Sequence, residues 1–453
     1  IGFLMIIKIK IIFIYIIIGL LINNCSSIKD LSFLNFADSS KEEILEGKRI
    51  DISTSSKKIK INTEISNIPV ELEKVIKNSD WHQQGKNSLN SPENLFINQK
   101  IDLLWKKDVG DGDGTYNKIY AQPVGNKSSI FVVDSEGKLV SLNIKDGSTN
   151  WEIDVLPKDE SINTNIDGGL AIDNGNLIFS SSYGEIININ TIDGETIWKS
   201  NIYKPAQGAP SISNNLVYQM TVNNELYAID INTGNELWRY TGSHVSAISN
   251  GSSSPAIYNN LVIFPSNTGE IVALDSLTGS LLWTSSLVIE GAISGSLELT
   301  DIDSGPVIHG GLIFTSSLSG KFVVIDLISG SFLWEVPVKT SNDPIVNGNS
   351  VFITSDDGRV ISLLRSNGEV RWIANIYEAV KKKSDGIPMC STPILAKNDI
   401  LLACQDGNIF KIDSSSGEYI NIFNLGASTF ISPIIIDGQI IFYTEDAEVL
   451  VYR

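Results

Sequence analysis

One phrase recurs along the chain and decides what it can fold into: an apolar run, Asp or Asn, three residues, Gly, three residues, Trp. Its copies stand at Asn143, Gly147 and Trp151, at Asn190, Gly194 and Trp198, and at Asp230, Gly234 and Trp238. They continue at Asp275, Gly279 and Trp283 and at Asp326, Gly330 and Trp334. In the next copy Leu364 replaces the acid before Gly368 and Trp372. In the one after it, Asp413 and Gly417 lead to Asn421 instead of Trp. Successive Trp residues lie 47, 40, 45, 51 and 38 residues apart. That spacing holds four short strands and their turns, the build of a β-propeller blade.

Turn signals inside each unit agree. In the third unit, Asn214-Asn215, Asn223-Asn224 and Thr233-Gly234 separate four apolar or alternating runs. A proline opens most units: Pro123, Pro210, Pro255, Pro306, Pro344, Pro393 and Pro433. Proline has no N–H to give a ladder, so it belongs at a strand's start. In the unit after Trp151 that slot reads Gly168-Gly169-Leu170, which makes eight openings and predicts eight blades. The last unit is one strand short. The segment 101–109 carries Trp105 in the repeat's Trp register and stands ahead of the first unit. The expected fold is therefore all-β: an eight-bladed propeller of four-stranded antiparallel blades. Its ring is closed by the N-terminal strand around Trp105, which completes the last blade and covers an exposed sheet edge. Gly in these turns supplies a positive φ and Trp buries a large ring, so both read as packing devices.

The chain of 453 residues is 42% hydrophobic, enough for a large core, and carries a formal net charge of -18. A surface so acidic repels phosphate backbones, which argues against nucleic acid as a partner. Three Cys and three His are too few for a disulfide-stapled scaffold or a Cys/His metal framework. Lys8 and Lys10 precede the apolar stretch 11–22, the pattern of a secretory signal, with Met5 read as the start. Residues 1–24 are read as a signal peptide and Cys25 as a lipidated cysteine. Residues 25–96 are read as a tether mostly of low order with one short helix over 70–77, and residues 97–453 as the propeller. Cys390 and Cys404 flank a hairpin turning at Lys397-Asn398, which sets them nearly opposite each other. An oxidising compartment would bridge them; two buried thiols are the alternative.

The Asp-x-x-x-Gly-x-x-x-Trp phrase resembles the PQQ-type propeller repeat, shared by quinoprotein dehydrogenases and the BamB family of outer-membrane assembly lipoproteins. Combined with a signal and a lipobox-like cysteine, it looks like BamB, over about residues 78–453. Residues 81–87, reading Trp-His-Gln-Gln-Gly-Lys-Asn, resemble a segment preceding the propeller in alphaproteobacterial members. Residues 298–306 are similar to the family's inter-blade loop, and residues 448–453 resemble its terminal strand. The resemblance implies a non-enzymatic scaffold at the periplasmic face of the outer membrane, lipid-anchored. It would bind the POTRA repeats of BamA beside other Bam subunits and assist nascent β-barrels. The family's two contact aspartates map onto Asp301 and Asp303, where two carboxylates suit Lys or Arg on a partner; an Asx turn before Pro306 is the plainer reading. A second family contact loop would fall at residues 247–251, where its Leu and Arg anchors are missing.

Enzyme readings fare badly. A quinoprotein dehydrogenase implies adjacent cysteines over its cofactor and a Ca²⁺ ligand set, and no Cys-Cys pair occurs. His82, His244 and His309 lack metal spacing, the last two reading as loop residues. Asp111-Gly112-Asp113-Gly114 lacks the later ligands of a Ca²⁺ loop and reads as a linker from the closing strand to the first blade. No catalytic residue, metal or cofactor is therefore expected. The alternatives to a BamB-like scaffold are a propeller module serving another envelope complex and, last, a PQQ-dependent dehydrogenase.

Overall fold

The computed structural model describes residues 59–453 apart from 66–67, 99, 116, 157–167, 244–252, 288–301, 303, 318–319, 377 and 379–388. By its contacts the chain divides into Ile1–Ser55, outside the described residues, and Ser56–Arg453. The second unit forms eight antiparallel sheets among the described residues. Blade one takes Val124–Asn126, Ser129–Val133, Lys138–Asn143 and Thr149–Asp154 from centre to rim. Blades two to seven repeat this order over residues 169–201, 206–241, 256–286, 307–336, 345–375 and 394–424.

Blade eight takes Ile434–Ile436, Gln439–Tyr443 and Glu448–Tyr452, and its outer strand is Leu103–Asp108. Trp105 pairs with Val451, and the main chains of Asp102 and Arg453 exchange hydrogen bonds of 3.0 and 2.9 Å. The ring thus closes as the repeat count requires. Middle strands such as Gln439–Tyr443 are buried throughout, because each is covered by blades on both sides. The core lies as wedges between neighbours: Phe131 and Trp151 of blade one pack with Leu170 and Phe179 of blade two.

The repeat phrase joins blades rather than strands. Gly147, at φ +71°, presents its bare Cα to the indole of Trp105, and Gly194, Gly234, Gly279, Gly330, Gly368 and Gly417 each do so to the Trp one blade back. The indole N–H then donates into the same turn, from Trp105 to the Ile144 carbonyl at 3.1 Å and from Trp372 to the Ser414 carbonyl at 3.0 Å. Trp283 keeps the ring contact, yet its indole nitrogen has no acceptor; the Ser285 hydroxyl donates to the Gly330 carbonyl there instead. Blade eight has no such turn, since its third and fourth strands come from opposite ends of the chain. Blade seven correspondingly has Asn421 where the others have Trp, and Phe423, Phe442 and Tyr452 fill the seam with ring centroids 5.7–6.4 Å apart.

Two expectations change. From Ile59 onward, residues expected to be of low order pack on the ring: Ile59 against the wedge holding Val351 and Val370, Val70 and Leu72 against the one holding Leu395 and Phe410. Residues 70–77 are extended rather than helical. Ile76 bridges Leu95, which in turn bridges Ala396. Asp80–Trp81 adds a fifth strand to blade one at the axis. The cause is the innermost strands, whose inner edges carry N–H and C=O groups that must find partners. An extended segment offers them; a helix, which spends its own, does not.

Candidate functional site: a funnel closed at one end

A ring of eight sheets leaves an axial opening, and the segment 71–97 runs across it, touching every blade. Trp81 pairs with Gly125 of blade one. The amides of Ile172, Ile257 and Ile308, in blades two, four and five, donate to the carbonyls of His82, Ser88 and Leu89 at 2.6, 2.5 and 2.9 Å. Ile212 of blade three donates to Gln83 Oε1 at 2.9 Å. In blade six Asn349 donates to the Glu71 carbonyl at 3.0 Å, and in blade seven Lys397 donates to the Leu95 carbonyl at 2.7 Å. Asp437 of blade eight donates to the Asn78 carbonyl at 3.0 Å. The Asn90 amide spans two blades, reaching the carbonyls of Ser254 and Pro306 at 3.1 and 3.2 Å. His309 ends the strand Val307–His309 rather than lying in a loop. Its Nε2 stands 3.2 Å from Glu73 Oε1, while burial pulls its pKa below the usual histidine range.

Against this plug, between blades six, seven, eight and one, the opening widens into a funnel of about 600 Å³. Trp81, Gly85 and Asn90 belong to its floor; Tyr120, Met389, Phe430 and Ile431 supply apolar wall. Tyr120 and Phe430 meet edge to face at 5.9 Å. The wall's charges are mostly acidic. Asp113 is 3.2 Å from Lys118. Asp356 accepts the Ser341 N–H at 2.8 Å and hydroxyl at 2.9 Å, with Lys339 at 4.0 Å.

Asp343 is different. It opens blade six just before Pro344, and its Oδ1 accepts the Gly305 N–H at 2.6 Å. Asp343 lines the funnel and is half-buried. Burial pushes its pKa up to about 7, partly opposed by the Gly305 hydrogen bond. No Lys, Arg or His among the described residues forms an ion pair with it.

Cys25, Asp301, Asp303 and residues 247–251 lie outside the described residues. The neighbours of the two aspartates are fixed: Ile302 is buried with Ile308 and Leu327, and Gly305 is the residue held by Asp343. Cys390 and Cys404 form an isolated antiparallel bridge with their sulfurs bonded, and Cys390 reaches the funnel wall. The repeat tryptophans Trp105, Trp151, Trp198, Trp238, Trp283, Trp334 and Trp372 stand between blades, away from the funnel. Residue-by-residue reading of the sequence did not single out Asp343, Tyr120 or Phe430.

The fold and its plugged axis define a PQQ-type repeat propeller. The family model "Outer membrane protein assembly factor BamB" matches residues 158–374. The chain is 22% identical over 369 residues to the outer membrane protein assembly factor BamB of Yersinia pestis, covering 80% of this chain and 90% of that one. Against the Escherichia coli K12 protein of the same name it is 26% identical over 161 residues, 34% of this chain and 39% of the relative. The crystal structure of BamB from Moraxella catarrhalis superposes with a TM-score of 0.66 at 19% identity, covering 78% of this chain and all of that one. A quinohemoprotein alcohol dehydrogenase from Comamonas testosteroni also reaches 0.66, at 13% identity, with 83% and 81% covered. The resemblance to BamB read from the repeat therefore holds, and the chain is a BamB-like propeller.

The dehydrogenase fold likeness invites a test of fit. A carboxylated quinone needs cations and a metal at the axis. The funnel wall here offers Asp113, Asp343 and Asp356 with Lys118 already paired to Asp113, and no cluster of His, Cys, Asp and Glu among the described residues suits a metal ion. Cys390 is bonded to a residue fourteen positions away rather than to a neighbour. The donor set does not fit the group.

Proposed function

We propose that this chain is a non-enzymatic scaffold of the outer-membrane β-barrel assembly machinery. It is anchored by a lipid on Cys25 at the periplasmic face, and it binds the POTRA region of a BamA-type barrel beside other subunits to assist insertion of outer-membrane proteins. The observation that carries this reading is similarity along nine-tenths of the Yersinia pestis relative. The plug supports it physically, because it closes one axial end and leaves the loops around the funnel's mouth as a rigid docking rim. In the sequence Asp301 and Asp303 fall between the strands Leu281–Ser286 and Val307–His309, and their carboxylates would steer a basic partner surface.

The test is retention from solubilised envelopes. The full chain should co-purify with a BamA-like barrel protein, and Asp301→Arg with Asp303→Arg should weaken that retention. Unchanged retention would move the interface to other loops; absence of the barrel from the wild-type capture would remove the assembly role.

A further inference from the structure

We propose that the funnel is a receptor for one arginine side chain presented by a partner polypeptide, with Asp343 as the anion that receives its guanidinium. The inference begins from a charge that the fold does not need. Asp343 holds Gly305 through a single accepted hydrogen bond, a duty an asparagine oxygen would perform without a buried charge. Seven blades open with a proline, and the residue before it is Gln122, Ala209, Ser254, Gly305, Thr392 or Ser432 in the other six. Only blade six has an ionisable group there. A half-buried carboxylate with no cation paired to it is left electrostatically uncompensated, so a cation is the natural occupant.

The cavity has the shape and chemistry for it. A space of about 600 Å³ admits a long side chain and part of its backbone. Tyr120, Phe430 and Met389 give its stem apolar walls, and aromatic faces attract a guanidinium. Lys118 is committed to Asp113 at 3.2 Å, and Lys339 stands beside Asp356, so neither cation neutralises Asp343. Asp343 Oδ1 is engaged by Gly305, which leaves Oδ2 and a second lone pair on Oδ1 for a forked donor. Desolvation of the carboxyl adds to this: a cation that enters would hold it ionised and gain more than it would at an exposed acid.

The site does not depend on the assembly role, and a small probe tests it alone. Saturation-transfer NMR on the full chain at pH 8 would compare N-acetyl-arginine methylamide with its citrulline counterpart, which keeps the shape and loses the charge. Arginine is expected to bind at least tenfold more tightly, and Asp343→Asn to erase that preference while the thermal midpoint holds or rises. Asp356→Asn, a control on the same wall, should keep the preference. Equal binding of the two probes to wild type would overturn the proposal, with no variant required. So would an arginine preference that survives Asp343→Asn, which would mark general attraction to an acidic surface.

Discussion

Gly147 lies flat against the indole of Trp105, although the first belongs to blade one and the second to the strand that completes blade eight: a Cβ on Gly147 would fall 2.6 Å from the ring. The closing seam is thus built from the same contact that joins every other pair of blades carrying the phrase. Its Gly and Trp are two halves of one inter-blade joint.

That joint can be isolated by comparing two glycines. Gly147 and Gly175 both have positive φ, +71° and +88°, but nothing stands within 4 Å of a Cβ on Gly175. Gly175→Ala should cost only backbone strain, about 1 kcal/mol. Gly147→Ala adds a clash with the packed, partly buried ring of Trp105 and should cost roughly 2–4 kcal/mol. Urea midpoints of the two variants measure the difference, and equal losses would mean that Trp105 yields freely.

Much of this was legible because the joint leaves side-chain marks. The phrase gave the blades, the prolines gave their number, and Trp105 in register gave the closure. Even the exception at Asn421 is consistent, since a Trp there would have no turn to rest on. The plug was not legible, because its principal contacts are carbonyls of His82, Ser88 and Leu89 meeting backbone amides, and any residue type provides those. Residues 70–77 read as a helix for the same reason: the partners that draw them out lie on other segments, Leu95 for Ile76 and, on blade six, Asn349 and Asn347 for Glu71 and Glu73. Asp343 could have been noticed as the one acid before a blade-opening proline, a comparison that only becomes meaningful once those positions are known to ring the axis.

The plug makes a separate prediction about exchange. The amides of Ile172, Ile257 and Ile308 belong to innermost strands whose inner edge faces the axis, and each is satisfied only by segment 71–97. Removing residues 59–97 should raise hydrogen exchange at these three amides by orders of magnitude, while Phe179 and Phe314 in the neighbouring strands stay protected. Uniform protection in the truncated protein would show that the ring seals itself.

The bridge between Cys390 and Cys404 closes a loop of fifteen residues that contains the innermost strand of blade seven, Ile394–Ala396. Denatured, unreduced protein should show no free thiol from either residue. Replacing both with Ser should lower stability by about 3 kcal/mol or less, the scale set by so short a loop. Two reactive thiols beyond any at Cys25 would refute the bridge.

The last prediction concerns pH and follows from Asp343. Its folded pKa, about 7, lies above the ordinary carboxyl value of 3.8, so between these values the folded chain holds a proton that the unfolded chain has lost. Stability from this group is therefore fully present below about pH 4, falls as pH rises toward 7, and stays reduced above. Asp343→Asn removes the slope and keeps an acceptor for the Gly305 amide. The variant should melt with the wild type near pH 4 and above it at pH 8, a gap that widens across the interval. Carboxylates held low by their partners, such as Asp437 beside Lys77, titrate alike in both proteins and cancel from the comparison. Thermal midpoints from pH 4 to pH 8 give the answer. A variant less stable at every pH would mean that the Asp343 charge is already compensated within the wall, and that the funnel awaits no cation.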